Sequence, residues 1–483
     1  MFLGLLLLMD TVVLLAVCVF AFQSRREKEA RATTFGWGAV IFHLILIPAM
    51  VWLPPLRVPI ALLFLLYVFL LLACLIPGKS RPRGTMDHVV GDAKRFDERD
   101  IVFARIEGLK PGTEPYIQYY EAHPEKKTYD DKRRESGGFP VGPPGAIDAG
   151  YLPNTAMTEA TFRMCGFIGD HALAKPEPDT PPYPLSPEKA TSIIKHFALH
   201  LGADLVGVCR VNPLWVYSHK GEIHYGEWEE WGMEKPEPLP FAVVFATEMS
   251  HEHVRAAPHT PTLAESATQY CKGEYISTIL AQWFAAMGYR AAAQHFLHYD
   301  LLPVPLAVDA GLGELGRLGY LISRKFGPRV RVFATTTDMP LVPDKPISIG
   351  ADDFCRRCKK CATACPSGSI PKGEKGMYNG VKKWKLDEES CYTFWGKAGT
   401  DCAICMGICP FSRPDTPLHR LVRWFVARSP AARTLFPYVD NWIYGKKWKP
   451  ATMPPWLAYP EGPGNATNET KVEQGRRGKT DGP

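Results

Sequence analysis

Eight of the thirteen cysteines in this 483-residue chain fall between Cys355 and Cys409, and they carry its strongest chemical signal. Cys355-x2-Cys358-x2-Cys361-x3-Cys365-Pro366 is the bacterial ferredoxin run, and Cys391-x10-Cys402-x2-Cys405-x3-Cys409-Pro410 is a second, variant run. Tight turns between close cysteines let several thiolates converge on one iron–sulfur cubane. In two-cluster ferredoxins the fourth cysteine of a run ligates the other cluster. On that rule Cys355, Cys358, Cys361 and Cys409 hold one 4Fe–4S cluster, and Cys365, Cys391, Cys402 and Cys405 hold the second. Structural zinc also takes four thiolates, but usually as separated C-x2-C pairs; a run closed by Cys-Pro, twice over, points to iron and sulfur. Two adjacent clusters form an electron relay, so the chain reads as a redox enzyme. The other cysteines (Cys18, Cys74, Cys165, Cys209, Cys271) are scattered, unlike those of a short secreted disulfide scaffold.

Something must hold this relay, and 483 residues exceed one ordinary core, so two or more folding units are expected. A net charge of +6, from 56 basic and 50 acidic residues, lacks the dense basic stripe of nucleic-acid binding, and no nucleic-acid partner is expected. The apolar residues are concentrated at the start. Three runs, Met1 to Phe22, about Gly36 to Leu53 and about Val58 to Ile76, each approach the roughly 20 residues that cross a hydrocarbon core. Met1-Phe2-Leu3 lacks the basic opening of a signal peptide, and Arg25-Arg26 follows the apolar run where a twin-arginine signal precedes it. Arg25, Arg26, Lys28 and Arg31 after the first run, and Lys79, Arg81 and Arg83 after the third, outweigh Arg57 between the second and third. The positive-inside rule then gives a multi-pass anchor over residues 1–78 in the cytoplasmic membrane, with the catalytic region facing the cytoplasm. The reducing cytosol suits the cysteines. Asp10 and His43 are costly in lipid. They read first as a helix–helix hydrogen bond or an interfacial position; a proton, quinone or haem contact is the alternative, and paired haem ligands are not evident.

Residues 84–185 are polar and rich in Pro and Gly, as in an extended segment wrapping a core with a few short helices. Ser186-Pro187 opens a helix. Leu205–Cys209 and Phe241–Ala246 read as buried strands, Leu263 to Met287 as a long helix. The alternation of strand and helix over 186–350 points to an α/β unit. The iron–sulfur segment covers 351–415, a C-terminal segment packing on the core 416–460, and a disordered tail 461–483. Gly311-Leu-Gly313-Glu-Leu-Gly316 matches the dinucleotide fingerprint, but no clear strand–turn–helix unit with a later acidic residue surrounds it.

Several blocks resemble, in order, those of the cobalamin-dependent reductive dehalogenases. They are Arg95–Arg105, Pro111-Gly-Thr, Tyr119–Glu125, Asp309–Gly319, Gly327–Arg331, Thr337–Leu341, Cys391–Trp395 and Asp440–Trp448. The resemblance covers nearly all the chain beyond the anchor. It implies a mixed α+β or α/β fold: three N-terminal transmembrane helices, a nitroreductase-like corrinoid-binding core and a ferredoxin-like two-cluster domain. It also implies a base-off cobalamin as second cofactor, consistent with the absence of the D-x-H-x-x-G motif that supplies a lower histidine ligand. The partners implied are an organohalide substrate, a low-potential electron donor, membrane-linked or soluble, and the bilayer; a homodimer is left open. Tyr270 aligns with the catalytic tyrosine, the proton donor that carbon–halogen cleavage needs. At about 100° per residue it lies roughly 160° from the stripe of Tyr275, Ile279, Trp283 and Met287, which is expected to be a core face. Arg331 aligns with the basic residue that stabilises the phenolate, and Lys325 is the alternative in a shifted register. His298 stands where many relatives have Asn, and is either a proton-transfer or halide-pocket residue or a core histidine. Gly311, Gly313, Gly316 and Arg317 are expected at the corrinoid or the clusters. Many relatives are exported and docked to a separate small membrane protein; here the fused helices are expected to take over that docking. The rivals are an epoxyqueuosine reductase acting on tRNA, to which the corrinoid, clusters and cysteine runs are similar, and a membrane ferredoxin without catalysis.

Overall fold

The computed structural model describes residues 1–78, 81–135, 152–169, 171–221, 230–296 and 298–458. Residues 136–151 of the wrapping segment and the expected tail, 461–483, lie outside them. An apolar run hides its backbone polar groups from lipid by forming a helix. α1 (Phe2–Arg26), α2 (Ala30–Trp52) and α3 (Arg57–Leu75) do so, and each is long and apolar enough to cross a membrane. Leu6, Met50, Ile60 and Phe64 tie the three together. Inside the bundle His43 Nδ1 lies 2.8 Å from Asp10 Oδ1. The two polar groups that lipid penalises thus meet in the helix–helix hydrogen bond expected of them.

After the anchor come α4 (Glu114–Ala122), α5 (Pro124–Glu135) and α6 (Leu152–Gly169). Arg105 is buried and donates to Asp130 at 3.0 Å and to Glu389 at 2.8 Å, which ties this segment to the iron–sulfur region. The core holds β1 (Leu173–Ala174), α7 (Pro187–His200), β2 (Leu205–Arg210), β3 (Phe241–Glu248), α8 (His251–Arg255) and α9 (Thr260–Ala286). It closes with β4 (Ala291–Gln294), α10 (Pro303–Asp309), β5 (Gly313–Leu315), β6 (Leu321–Ser323) and β7 (Val330–Thr337). Ser186 Oγ accepts from Lys189 N at 3.2 Å to start α7, with Pro187 at its first position.

Five strands form one sheet in the order β1-β4-β7-β3-β2, and every neighbouring pair is antiparallel. This corrects the α/β reading: the fold is α+β. The helical crossover does carry the chain from β3 to β4 in the same direction, but β7 inserts between them and runs the other way. An alternation of strands and helices in sequence cannot reveal that insertion.

α9 lies on the sheet face that carries Val243, Phe245 and Phe333. An added Cβ at Gly273 would come within 2.1 Å of the Phe333 ring, so only glycine lets this helix settle so close. The buried stripe on α9 is Gly273, Ile276, Ser277, Leu280 and Phe284. The expected stripe is therefore one residue out of register: Tyr275 is exposed, and Trp283 and Met287 are only half-buried. The helix has apolar residues on several sides because α6 packs on it as well as the sheet, and periodicity alone could not choose the face. From the true stripe Tyr270 lies only about 60° away, which turns it toward the N-terminal end of β7.

The last third holds α11 (Ala351–Cys358), α12 (Lys360–Ala364), the hairpin of β8 (Gly376–Tyr378) and β9 (Val381–Lys383), α13 (Glu388–Ala398) and α14 (Ile404–Gly407). α15 (Pro417–Arg428) and α16 (Pro430–Tyr444) then return to the anchor. The junction is built from side chains of both parts. Glu29 accepts from Arg255 and Arg413, Glu27 lies 2.9 Å from His419 Nε2, and the rings of Phe35 and Trp442 meet at 4.4 Å.

Candidate active site

The cysteine turns set the local geometry. Lys359 follows Cys358 at φ 52°, and in the second run Cys402 and Ala403 stand at φ 63° and 57°. Left-handed backbone is costly for such residues, and here it turns the chain tightly within Cys358-x2-Cys361 and Cys402-x2-Cys405. The thiols fall into two sets. Repulsion from Cys355, Cys358 and Cys361 adds to burial in pushing the Cys409 thiol up. Cys402, Cys391 and Cys365 do the same to Cys405. Cys361 feels Cys405 as well, so the sets adjoin there. Burial pushes Cys355 up to about 11, and Cys358, Cys391 and Cys402 to about 12. Cys365 goes the other way: burial raises it, but hydrogen bonds from Ser367, Ile370 and Ser369 bring it below the ordinary thiol value. Among the described residues no three His, Cys, Asp or Glu side chains close on a single metal ion. The second set instead lines a cavity of about 40 Å³. Buried and half-buried thiols arranged around an opening fit a cluster that bridges them and holds them as thiolates.

Arg331, on β7, lines the same cavity. Its guanidinium lies 4.8 Å from the centre of the Tyr270 ring, donates to Ser266 Oγ on α9, and reaches Asp401 Oδ2 at 2.7 Å. Ser266 also donates to Asp401. Burial opposes the charge on Arg331, but the oxygens of Tyr270, Asp401 and Tyr320 more than offset it and hold the guanidinium more firmly protonated. Burial pushes the Asp401 carboxyl above its ordinary value against the pull of Arg331 and Ser266. Tyr270 is half-buried. Its ring lies 4.4 Å from Phe296, on the turn after β4, and 6.3 Å from Phe333 and from Phe162 on α6. A titratable phenol beside a fixed cation is an arrangement that can give up a proton.

The other expected site residues are placed differently. Lys325 is not brought to Tyr270; it lies 3.8 Å from Asp415 and is largely exposed. His298 sits on the turn that carries Phe296, and burial holds its imidazole below the usual value. Arg317 is fully buried and donates to the carbonyls of Cys355 at 3.0 Å, Pro371 at 2.8 Å and Gly373 at 2.7 Å, so it braces the first cysteine run through its backbone. Gly311, Gly313 and Gly316 make room for protein: an added Cβ would meet Lys345 O at 2.6 Å, Ile322 O at 2.1 Å and the Ile322 side chain at 2.6 Å. The fingerprint they spell is a hairpin of β5 and β6. Two residues were missed from the sequence. Asp401, one position before Cys402, pairs with Arg331, and Tyr320 lies among Tyr270, Arg331, Cys391 and Cys405. Adjacency to a ligand cysteine was the available signal for Asp401; Tyr320 had none.

Beside Tyr270, Arg331 Nε and Asp401 Oδ1 are buried and lack a partner among the described residues. Buried polar atoms are nearly always satisfied. A donor and an acceptor are left over, which fits a bound group fringed with amides, as a corrinoid is, or a polar substrate.

Fold and cysteine sets together define an α+β iron–sulfur protein, and residues 354–412 match the family model of the 4Fe-4S dicluster domain. The chain is 33% identical over 298 residues to tetrachloroethene reductive dehalogenase of Sulfurospirillum multivorans, covering 55% of this chain and 59% of that one. It superposes on the catabolic reductive dehalogenase NpRdhA, solved with 3-bromo-4-hydroxybenzoic acid, with a TM-score of 0.59 and 26% identity, over 76% of this chain and 50% of that one. A second solved reductive dehalogenase, described as B12-dependent, gives a TM-score of 0.59 and 27% identity over 77% and 50%. The chain is similar to these reductive dehalogenases, and it spans about half the length of the relatives it matches.

Proposed function

We propose that the chain is a membrane-anchored reductive dehalogenase that removes halide from an organohalide, with electrons passing through two 4Fe–4S clusters. Cys355, Cys358, Cys361 and Cys409 hold the first cluster and Cys365, Cys391, Cys402 and Cys405 the second. A base-off cobalamin bound beside Tyr270 would supply a strongly reducing cobalt centre for cleaving the carbon–halogen bond. The observation that carries this reading is the meeting of Tyr270 with Arg331 on the wall of the second cysteine cavity. A proton source and an electron path converge there, which is what reductive replacement of halogen by hydrogen requires.

Each residue then has a task. Tyr270 Oη gives its proton to the carbon that loses halide. Arg331, fixed by Ser266 and Asp401, stabilises the phenolate that remains. Phe162, Phe296 and Phe333 hold the ring. His298, neutral through burial, shapes the pocket or assists return of the proton. Basic residues after α1 and α3 favour a catalytic region on the cytoplasmic side. Anaerobic purification with iron, cobalt and corrinoid analysis, then assay of halide release from brominated and chlorinated aromatics, tests the proposal. Zinc in place of iron, or iron without cobalt, refutes it, and turnover of an epoxyqueuosine-containing tRNA would replace it with the rival reading.

A further inference from the structure

Between α15 and the turn joining β6 to β7 lies an open pocket of about 420 Å³. Arg324, Lys325, Arg420 and Arg423 line it against one carboxylate, Asp415. That carboxylate is already shared: Arg423 donates to it at 2.5 Å, and Arg420 and Lys325 lie 3.6 and 3.8 Å from it. The lining therefore keeps a surplus of positive charge.

The pocket lies beside the bilayer spans. α15 crosses the end of the anchor: His419 near its start pairs with Glu27, just past α1, and the carbonyl of Arg428 at its end accepts from Gly78 N, just past α3, at 2.8 Å. Ala427, on the pocket wall, immediately precedes Arg428. Ser429 Oγ donates to Ala73 O within α3 at 3.4 Å. On its free side α15 exposes Leu421, Val422 and Trp424, and α16 exposes Tyr438 and Trp442. Trp442 stacks edge-on against Phe35 in the second turn of α2, which sets its level at the membrane–water boundary. Exposed Trp, Tyr and Leu beside arginines are the composition of a helix lying in that boundary.

We propose that this pocket binds the phosphate head group of an anionic phospholipid, with Arg324, Lys325, Arg420 and Arg423 on the phosphate and Trp424 and Leu421 against the upper acyl chains. The inference rests on the anchor entering a bilayer and is independent of the reaction at Tyr270. An acidic electron carrier would be attracted by the same charge. Electron carriers, however, dock on open surfaces of up to about 600 Å² a side rather than in a pocket, and they leave the exposed leucine and valine of α15 unexplained. Phe411, on the pocket floor, packs in the same cluster as Cys409, so an occupied pocket shields the first cysteine set from water.

The test uses the full-length protein with its cofactors, reconstituted in nanodiscs of phosphatidylcholine with and without phosphatidylglycerol. Native mass spectrometry reads the lipid retained by the protein. Phosphatidylglycerol is expected to be retained in preference to phosphatidylcholine, and the R324Q/K325Q variant to lose about thirtyfold of that preference, about fivefold for each removed charge near the lipid surface. Should that variant fail to fold, Arg420→Gln on the exposed side of α15 reads the same pocket. Equal retention of both lipids overturns the proposal. So does complete displacement of phosphatidylglycerol by millimolar inorganic phosphate, which would mark a free-anion site. Binding of an acidic flavodoxin that depends on Arg324 and Lys325, with lipid retention unchanged, would assign the pocket to a protein carrier instead.

Discussion

Replacing Tyr270 by Phe removes one oxygen from the centre of the proposed reaction and leaves the ring in place. The ring contacts at 4.4 Å to Phe296 and 6.3 Å to Phe333 and Phe162 all persist. Arg331 remains held by Ser266 and Asp401. Stability should therefore change by no more than about 1 kcal/mol, the net worth of one hydrogen bond. The proton is different. A positioned general acid contributes about 10²–10⁴ in rate, equivalent to about 3–5 kcal/mol of barrier. The assay is halide release from a brominated phenol, with a low-potential chemical reductant, on anaerobically purified protein whose iron and cobalt are first measured per chain. The expected result is unchanged cofactor content and melting temperature, KM within a few-fold, and kcat lower by 10²–10⁴. Full turnover in the variant removes Tyr270 from the chemistry. Loss of cobalt along with activity would make it a structural residue of the cofactor site.

Cys409→Ser should remove a ligand from the first cysteine set alone, so that iron per chain falls by about half and one cluster signal survives by electron paramagnetic resonance; loss of both signals would contradict the division into two sets. Arg317→Met strips three backbone carbonyls around the first run of a buried charged donor and is expected to cost about 3–5 kcal/mol in denaturant unfolding; a cost under about 1 kcal/mol would show that the brace is dispensable. His251 is held well below its usual value, first by burial and then by Arg329, Arg413 and His419. The unfolded chain takes up that proton near pH ~6.5, before the folded one does. Stability is therefore intact above that pH and falls below it by up to about 1.4 kcal/mol per pH unit, until the folded value is reached. Thermal melts between about pH 5 and 8 should show this slope flattened in His251→Gln, and an unchanged slope would assign it to another group.

Local features were legible in the sequence because their causes are local. The start of α7 was written in Ser186-Pro187, and the strands β2 and β3 in unbroken apolar runs. The three anchor helices followed from run length, since hydropathy is a property of the segment itself. The expectation of an α/β sheet failed because strand direction depends on which strand inserts where. β7 comes from the far side of α9, α10 and a hairpin, and nothing near β3 or β4 announces it. The face of α9 failed for a related reason: with α6 on one side and the sheet on another, its apolar residues obey no single period.

Within the site, Cys409 adjoins Cys355, Cys358 and Cys361, and Cys405 adjoins Cys402, Cys391 and Cys365; this is the grouping the ferredoxin rule names, and Cys409→Ser tests it. The choice of Arg331 over Lys325 beside Tyr270 was left to the tertiary structure, as were Asp401 and Tyr320. These residues lie on β7, on the β6–β7 turn, before α14 and on the β5–β6 turn, so their distances are fixed by packing between elements far apart in the chain. Sequence alone determined which side chains could bind metal and which segments could enter lipid, because both depend on residue type and short-range spacing. The fold decided which phenol meets which cation, because that encounter exists only once α9 has settled against β7 over Gly273.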